Sequence, residues 1–91
     1  MTPTSWDLLV AGPARRAIDR LPEKIALAVL DYLVGTLLEN PHRVGRPLRG
    51  DLIGLHSARV GAYRIVYEID EGSRTVRVIY IDHWADVYRP R

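Results

Sequence analysis

The sequence predicts an α+β fold in the order β-α-α-β-β-β, with two helices packed on one face of a mainly antiparallel four-stranded sheet. Three observations carry this expectation: a period-two apolar pattern at the front, two helical stripes separated by a proline, and a last third of strands joined by short turns. At 91 residues, 47% of them apolar and 26% charged, the chain reads as one globular domain over its whole length. A domain this small buries only about 60–65% of the surface its unfolded chain exposes, so its core is thin.

The first strand is expected over Thr4 to Val10, where Trp6, Leu8 and Val10 fall on one side. Ala11-Gly12-Pro13 ends it, and Pro13 suits the first turn of a helix because its fixed φ and missing N–H cost nothing there. That helix runs from about Pro13 to Leu21 and buries Ala14, Ala17, Ile18 and Leu21. Pro22 breaks it and opens the second, to about Glu39, with Ile25, Val29, Leu33 and Leu37 four apart and Ala28, Leu30 and Tyr32 widening the stripe. Asn40-Pro41 stops this helix, since the residue before proline avoids the α region.

His42 to Gly54, rich in Gly, Pro and Arg, reads as a surface loop longer than the usual connector. Leu55 to Val60, Tyr63 to Asp70 and Thr75 to Asp82 read as a meander of strands. Gly61-Ala62 makes one tight connection, and Asp70-Glu71-Gly72-Ser73 makes the other, with Gly72 available for a positive φ. Thr75 to Asp82 carries apolar residues on both faces and is therefore placed centrally in the sheet.

Composition excludes whole classes of chemistry. With no cysteine there are no disulfides, thiolate metal sites or cysteine nucleophiles. No apolar run approaches the about 20 residues of a membrane span, and no signal peptide opens the chain, so the expected location is the cytoplasm with no membrane partner. His42, His56 and His83 are too scattered to suggest a metal set, and no cofactor motif is present. The charge is segregated: twelve of thirteen basic residues are arginine, and Arg43, Arg46, Arg49, Arg59 and Arg64 stand against Asp51 alone between positions 43 and 64. Arginine's planar fork suits phosphate, so an anionic partner is expected there, nucleic acid first.

The chemistry-bearing residues gather on the meander: Arg59, Arg64, His83, Asp86 and Tyr88. Arg59 and Arg64 flank a two-residue connection and so face each other across the ladder. If the last strand neighbours Tyr63 to Asp70, its end brings His83 near Arg64, and the four residues Arg59, Arg64, His83 and Tyr88 share one patch. That set suits metal-free cleavage of RNA by its own 2′-hydroxyl. Histidine exchanges protons near neutral pH, the arginines stabilise the phosphorane, and tyrosine stacks or donates a hydrogen bond. A purely structural reading stands beside it, and for His83 the sequence alone favours it: His83 bonding a backbone carbonyl, Arg64 paired with Asp82 or Glu68, the strand tyrosines and both tryptophans as packing residues.

Pro47-Leu48-Arg49-Gly50, then Ala58-Arg59 and Gly61-Ala62-Tyr63-Arg64-Ile65-Val66-Tyr67, resembles the "LRG…R…G.YR.VY" core of the RelE/ParE toxin superfamily. Asp82-His83-Trp84-Ala85-Asp86-Val87-Tyr88 resembles its closing "HR..VY" motif. The resemblance implies a RelE-like toxin of a type II toxin–antitoxin module, cleaving mRNA on the ribosome and silenced by a RelB-like antitoxin in a hetero-oligomer. It implies phosphate stabilisation by Arg59 and Arg64, acid–base work by His83, substrate stacking by Tyr88, and RNA binding by Arg49, with Arg43 and Arg46 in the same basic window. Two places depart from the pattern. Trp84 replaces the arginine of the closing motif, and Leu55 and Ser57 stand where some RelE members carry lysines. The general base is thus unassigned, and the ParE branch, which poisons DNA gyrase without nuclease chemistry, is the alternative.

Overall fold

Two proline-bounded helices follow the first strand, which pairs with the last strand of the chain, in a computed structural model that describes residues 6–83. β1 (Asp7–Val10) runs parallel to β5 (Thr75–His83), with Leu8 opposite Val76 and Val10 opposite Val78. A parallel pair cannot be joined by a tight turn; here the helices carry the chain to the far edge of the sheet, and three further strands bring it back to β5 beside β1. α1 (Gly12–Asp19) carries Pro13 in its first turn, buries Ala14 completely and lies against β5. It ends at Asp19 rather than Leu21, where the Arg20 N–H meets the carbonyls of Ala17 and Ile18 ahead of Pro22.

α2 (Glu23–Tyr32) continues without a break through a π-turn, Leu33–Leu37, to residue 39. The spacing explains the π-turn. In an α-helix a four-residue step overshoots one turn by about 40°, so a strict four-residue repeat drifts off the core. The wider turn returns Leu33 and Leu37 to the line of Val29, and all three are fully buried. Leu30 and Ala28 do not widen this stripe as expected. Each lies one residue from Val29, about 100° around the helix, and Leu30 is 39% exposed.

The segment read as a loop holds more structure than its composition suggests. α3 (Pro41–Val44) is one helical turn, β2 (Arg46–Pro47) pairs antiparallel with the next strand, and Gly50–Leu52 forms a 3₁₀ turn. The described residues therefore contain three helices and five strands, in the order β1-β5-β4-β3-β2, instead of two and four. A two-residue strand has no periodicity to read, and Pro47 is tolerated because β2 is at the sheet edge. β3 (Leu55–Val60) and β4 (Tyr63–Asp70) fall where expected, and β5 is internal as expected. In the β4–β5 turn the positive φ belongs to Arg74, at 52°, and not to Gly72.

The helices cover one face of the sheet. Val29, Leu33 and Leu37 pack there on Ala58, Ile65, Tyr67, Val76, Val78 and Ile81. The Tyr67 hydroxyl reaches through this layer and donates to the Pro41 carbonyl at 2.7 Å. Glycine at position 45 makes the contact possible: a Cβ there would lie 2.1 Å from the Tyr67 hydroxyl oxygen and 2.8 Å from the Ser57 carbonyl.

Candidate functional site

The Gly61-Ala62 hairpin, with Gly61 at a φ of 58°, sets Val60 opposite Tyr63 and therefore Arg59 opposite Arg64. Directly opposed residues point to the same face, here the one away from the helices, since Ala58 and Ile65 point into the core. Like charges in that position destabilise a sheet, so the pairing has no folding rationale of its own. Arg46 joins them from the edge. It opposes Ser57, two residues before Arg59 and on the same face, as a diagonal neighbour about 7–8 Å away. Arginines from three successive strands thus line one face.

Arg64 is held closely. Its Nε and Nη2 donate to the two carboxylate oxygens of Asp82 at 3.3 and 3.2 Å, and Nη2 also donates to the Tyr80 hydroxyl at 3.2 Å. The Tyr80 ring lies 5.7 Å from the guanidinium carbon. Arg64 keeps only 17% of its side chain exposed and Asp82 30%. Arg59 is exposed and reaches the Gly61 carbonyl through Nε at 3.4 Å.

The structure brings Arg59 and Arg64 together, and it separates His83 from them by a face. The cause is a β-bulge in β5. Tyr67 opposes Val78 while Val66 opposes Tyr80, which leaves Ile79 as an extra residue. Counted back from the β4–β5 turn without it, Arg64 would face Ile81 and His83 would share its side. With it, Arg64 faces Asp82, and His83 pairs with Tyr63, ring against ring at 5.1 Å and 78°. One inserted residue flips every side chain beyond it. Tyr88 and Asp86 lie outside the described residues. Arg43 is exposed on α3, and Arg49 is exposed at the Leu55 end of β3, about 13 Å of strand from Arg59. Asp82 entered the sequence reading only as a structural partner. That pairing is present, and the bulge is what sets Asp82 opposite Arg64.

The opposite end of the sheet holds an aromatic array on the helical side. Trp6, His42, His56 and Tyr67 succeed one another ring to ring at 5.8, 6.3 and 5.6 Å. His42 is ion-paired with Glu71, and Arg74 lies over Trp6 at 4.5 Å. Burial, then the nearby His42, lowers the His56 pKa below the ordinary histidine value. Burial, then Tyr32, pushes the Tyr67 hydroxyl up to about 12. Trp6 and Tyr67 are buried, His56 is half-buried with its Nδ1 left without a hydrogen-bond partner among the described residues, and His42 is exposed, whereas the arginine row lies on the face away from the helices.

Comparison with known proteins agrees with this geometry. Residues 8–88 match the family of ParE toxins of type II toxin–antitoxin systems, parDE. Toxin RelE of Mycobacterium tuberculosis is 50% identical over 84 residues, covering 92% of this chain and 87% of that protein. Toxin RelG of the same organism is 47% identical over 76 residues, covering 84% and 87%. Among solved structures, the RelBE2 toxin–antitoxin complex of M. tuberculosis matches with a TM-score of 0.85 at 39% identity, over 90% of this chain and 94% of that one. The intact RelBE complex of E. coli shares the fold, with a TM-score of 0.74 at 22% identity over 87% and 96%. The chain belongs to the ParE toxin family and is a RelE-type toxin of a toxin–antitoxin system.

Proposed function

We propose that this member of the ParE toxin family is a ribosome-dependent mRNA endonuclease that stops translation by cutting RNA through attack of the 2′-hydroxyl, without a metal. The observation that supports this reading most is the row of Arg46, Arg59 and Arg64 on one face, two of them directly opposed. Opposed guanidinium groups suit a bridging phosphate better than they suit folding, and they stabilise charge as it develops on the phosphorane oxygens. In this reading Arg59 and Arg64 carry that charge, Tyr88 stacks on the substrate, and Arg43, Arg46 and Arg49 hold the RNA backbone, while the proton carrier is unassigned because His83 is turned to the other face.

The partner in the same reading is a RelB-like antitoxin in a hetero-oligomer, and the location is the cytoplasm. Two observations favour a second reading, a gyrase inhibitor of the ParE branch: the description of the matching family, and the absence of lysine at positions 55 and 57. Inducing the chain in cells and mapping mRNA 5′ ends separates the two. Cuts phased with codons inside translated regions support the endonuclease. Intact mRNA with gyrase-trapped DNA breaks overturns it.

A further inference from the structure

We infer that Asp82 and Tyr80 are positioning residues for Arg64, brought to its side of the sheet by the bulge at Ile79. The inference rests on the endonuclease reading and adds to it the groups that aim the guanidinium. Three hydrogen bonds, from Nε and Nη2 to the Asp82 carboxylate and from Nη2 to the Tyr80 hydroxyl, fix both the plane and the direction of the fork. An arginine on a flexible side chain loses rotamer freedom when it meets a phosphate, and one already held loses less. The hold also has an electrostatic consequence. Asp82 offsets the charge of Arg64, so this guanidinium meets a phosphate as an aimed fork and not as a bare cation.

The bulge is what makes this arrangement possible. Tyr80 and Asp82 are two apart and share a face, and only the extra residue puts that face on the side of Arg64. Bulges commonly re-aim side chains beside functional sites.

The test measures ribosome affinity and single-turnover cleavage separately, on ribosomes programmed with mRNA, for the wild-type chain and for Asp82→Asn, Asp82→Glu and Tyr80→Phe. Asp82→Asn is expected to slow cleavage about 10- to 100-fold, the scale of an approximately 1 Å misplacement of a reacting group, while affinity stays the same or tightens. The salt dependence of its binding should steepen by about one phosphate contact. Asp82→Glu keeps the charge and shifts the carboxylate by one methylene, so it should slow cleavage with affinity and salt slope unchanged. Tyr80→Phe should slow cleavage by less. A merely structural role would lower the melting temperature and leave the rate of the folded protein intact, which overturns the inference. So does faster cleavage by Asp82→Asn, which would make Asp82 a competitor for the guanidinium. The two readings fail differently. If the wild-type chain leaves mRNA whole, the endonuclease reading falls, and the aim is read instead from the Arg64 Nε–H in ¹⁵N NMR. A slowly exchanging proton lost in Asp82→Asn supports the positioning, and one unaffected by the substitution overturns it.

Discussion

The two ends of the sheet each hold a tyrosine hydroxyl among polar side chains, and to opposite effect. At the Trp6 end, His56 and Tyr67 lie against one another beneath the helices, and the Tyr67 hydroxyl is tied to the Pro41 carbonyl. At the hairpin end, Arg59 and Arg64 face each other away from the helices, with Tyr80 and Asp82 gathered on one of them. A buried polar group must be partnered or it costs about 1–3 kcal/mol, so the first end is shaped by folding. Two directly opposed like charges work against folding, a cost the Asp82 carboxylate offsets at Arg64.

The sharpest way to break this contrast is Arg64→Ala. Loss of a group that stabilises transition-state charge costs about 10²–10³ in rate, roughly 3–4 kcal/mol. Cleavage should fall by that factor while circular dichroism of the purified variant stays that of the wild type. A folded, fully active variant removes the arginine row as the reacting centre.

Gly45→Ala should do the reverse, harming stability and sparing the chemistry of whatever stays folded. Its Cβ would meet the Tyr67 hydroxyl at 2.1 Å, and crowding of a packed core costs about 3 kcal/mol. Thermal unfolding should show a melting point lowered by about 12 °C or more at the 4–8 °C per kcal/mol typical of this size. Tyr67→Phe alone should cost about 1–3 kcal/mol by leaving the Pro41 carbonyl without its donor. Combined, the two changes should be less damaging than their sum, although the Ser57 carbonyl at 2.8 Å keeps the rescue partial. Strict additivity would show that the hydroxyl is not what crowds position 45.

The Tyr67 end should also set the alkaline limit of stability. Its hydroxyl titrates near 10.0 when free and at about 12 in the fold, so the folded state resists losing the proton. Stability is complete below pH about 10 and declines as pH rises towards 12, because the unfolded chain gives up its proton first. Tyr67→Phe should remove this part of the alkaline decline, as followed by denaturant midpoints across that range. His56, lowered, acts in the opposite direction. Its contribution is present above the ordinary histidine range and is lost on acidification.

Arg46→Ala should give the smallest effect. Binding to RNA should weaken with a salt slope reduced by about one, and single-turnover cleavage of bound substrate should be unchanged. A slowed chemical step would place Arg46 with Arg64 among the groups that act on the reacting phosphate.

Much of this molecule follows from spacings that covalent geometry converts directly into position. Pro13, Pro22 and Asn40-Pro41 delimit the helices, and the apolar residues four apart define the stripe that α2 and its π-turn bury. The two-residue connection at Gly61-Ala62 dictates that Arg59 meets Arg64. Each of these is a local relation, settled within a few residues of backbone. What only the tertiary structure decided is non-local. β2 exists because β3 lies beside it to accept its hydrogen bonds. Position 45 requires glycine because a tyrosine 22 residues later passes through the space a Cβ would fill. The bulge at Ile79 falls just past the last β1 pair, Val10 with Val78, and it turned Asp82 towards Arg64 and His83 away. A side chain's neighbour across a strand depends on parity, and parity changes with a single inserted residue that no local spacing in β5 announces.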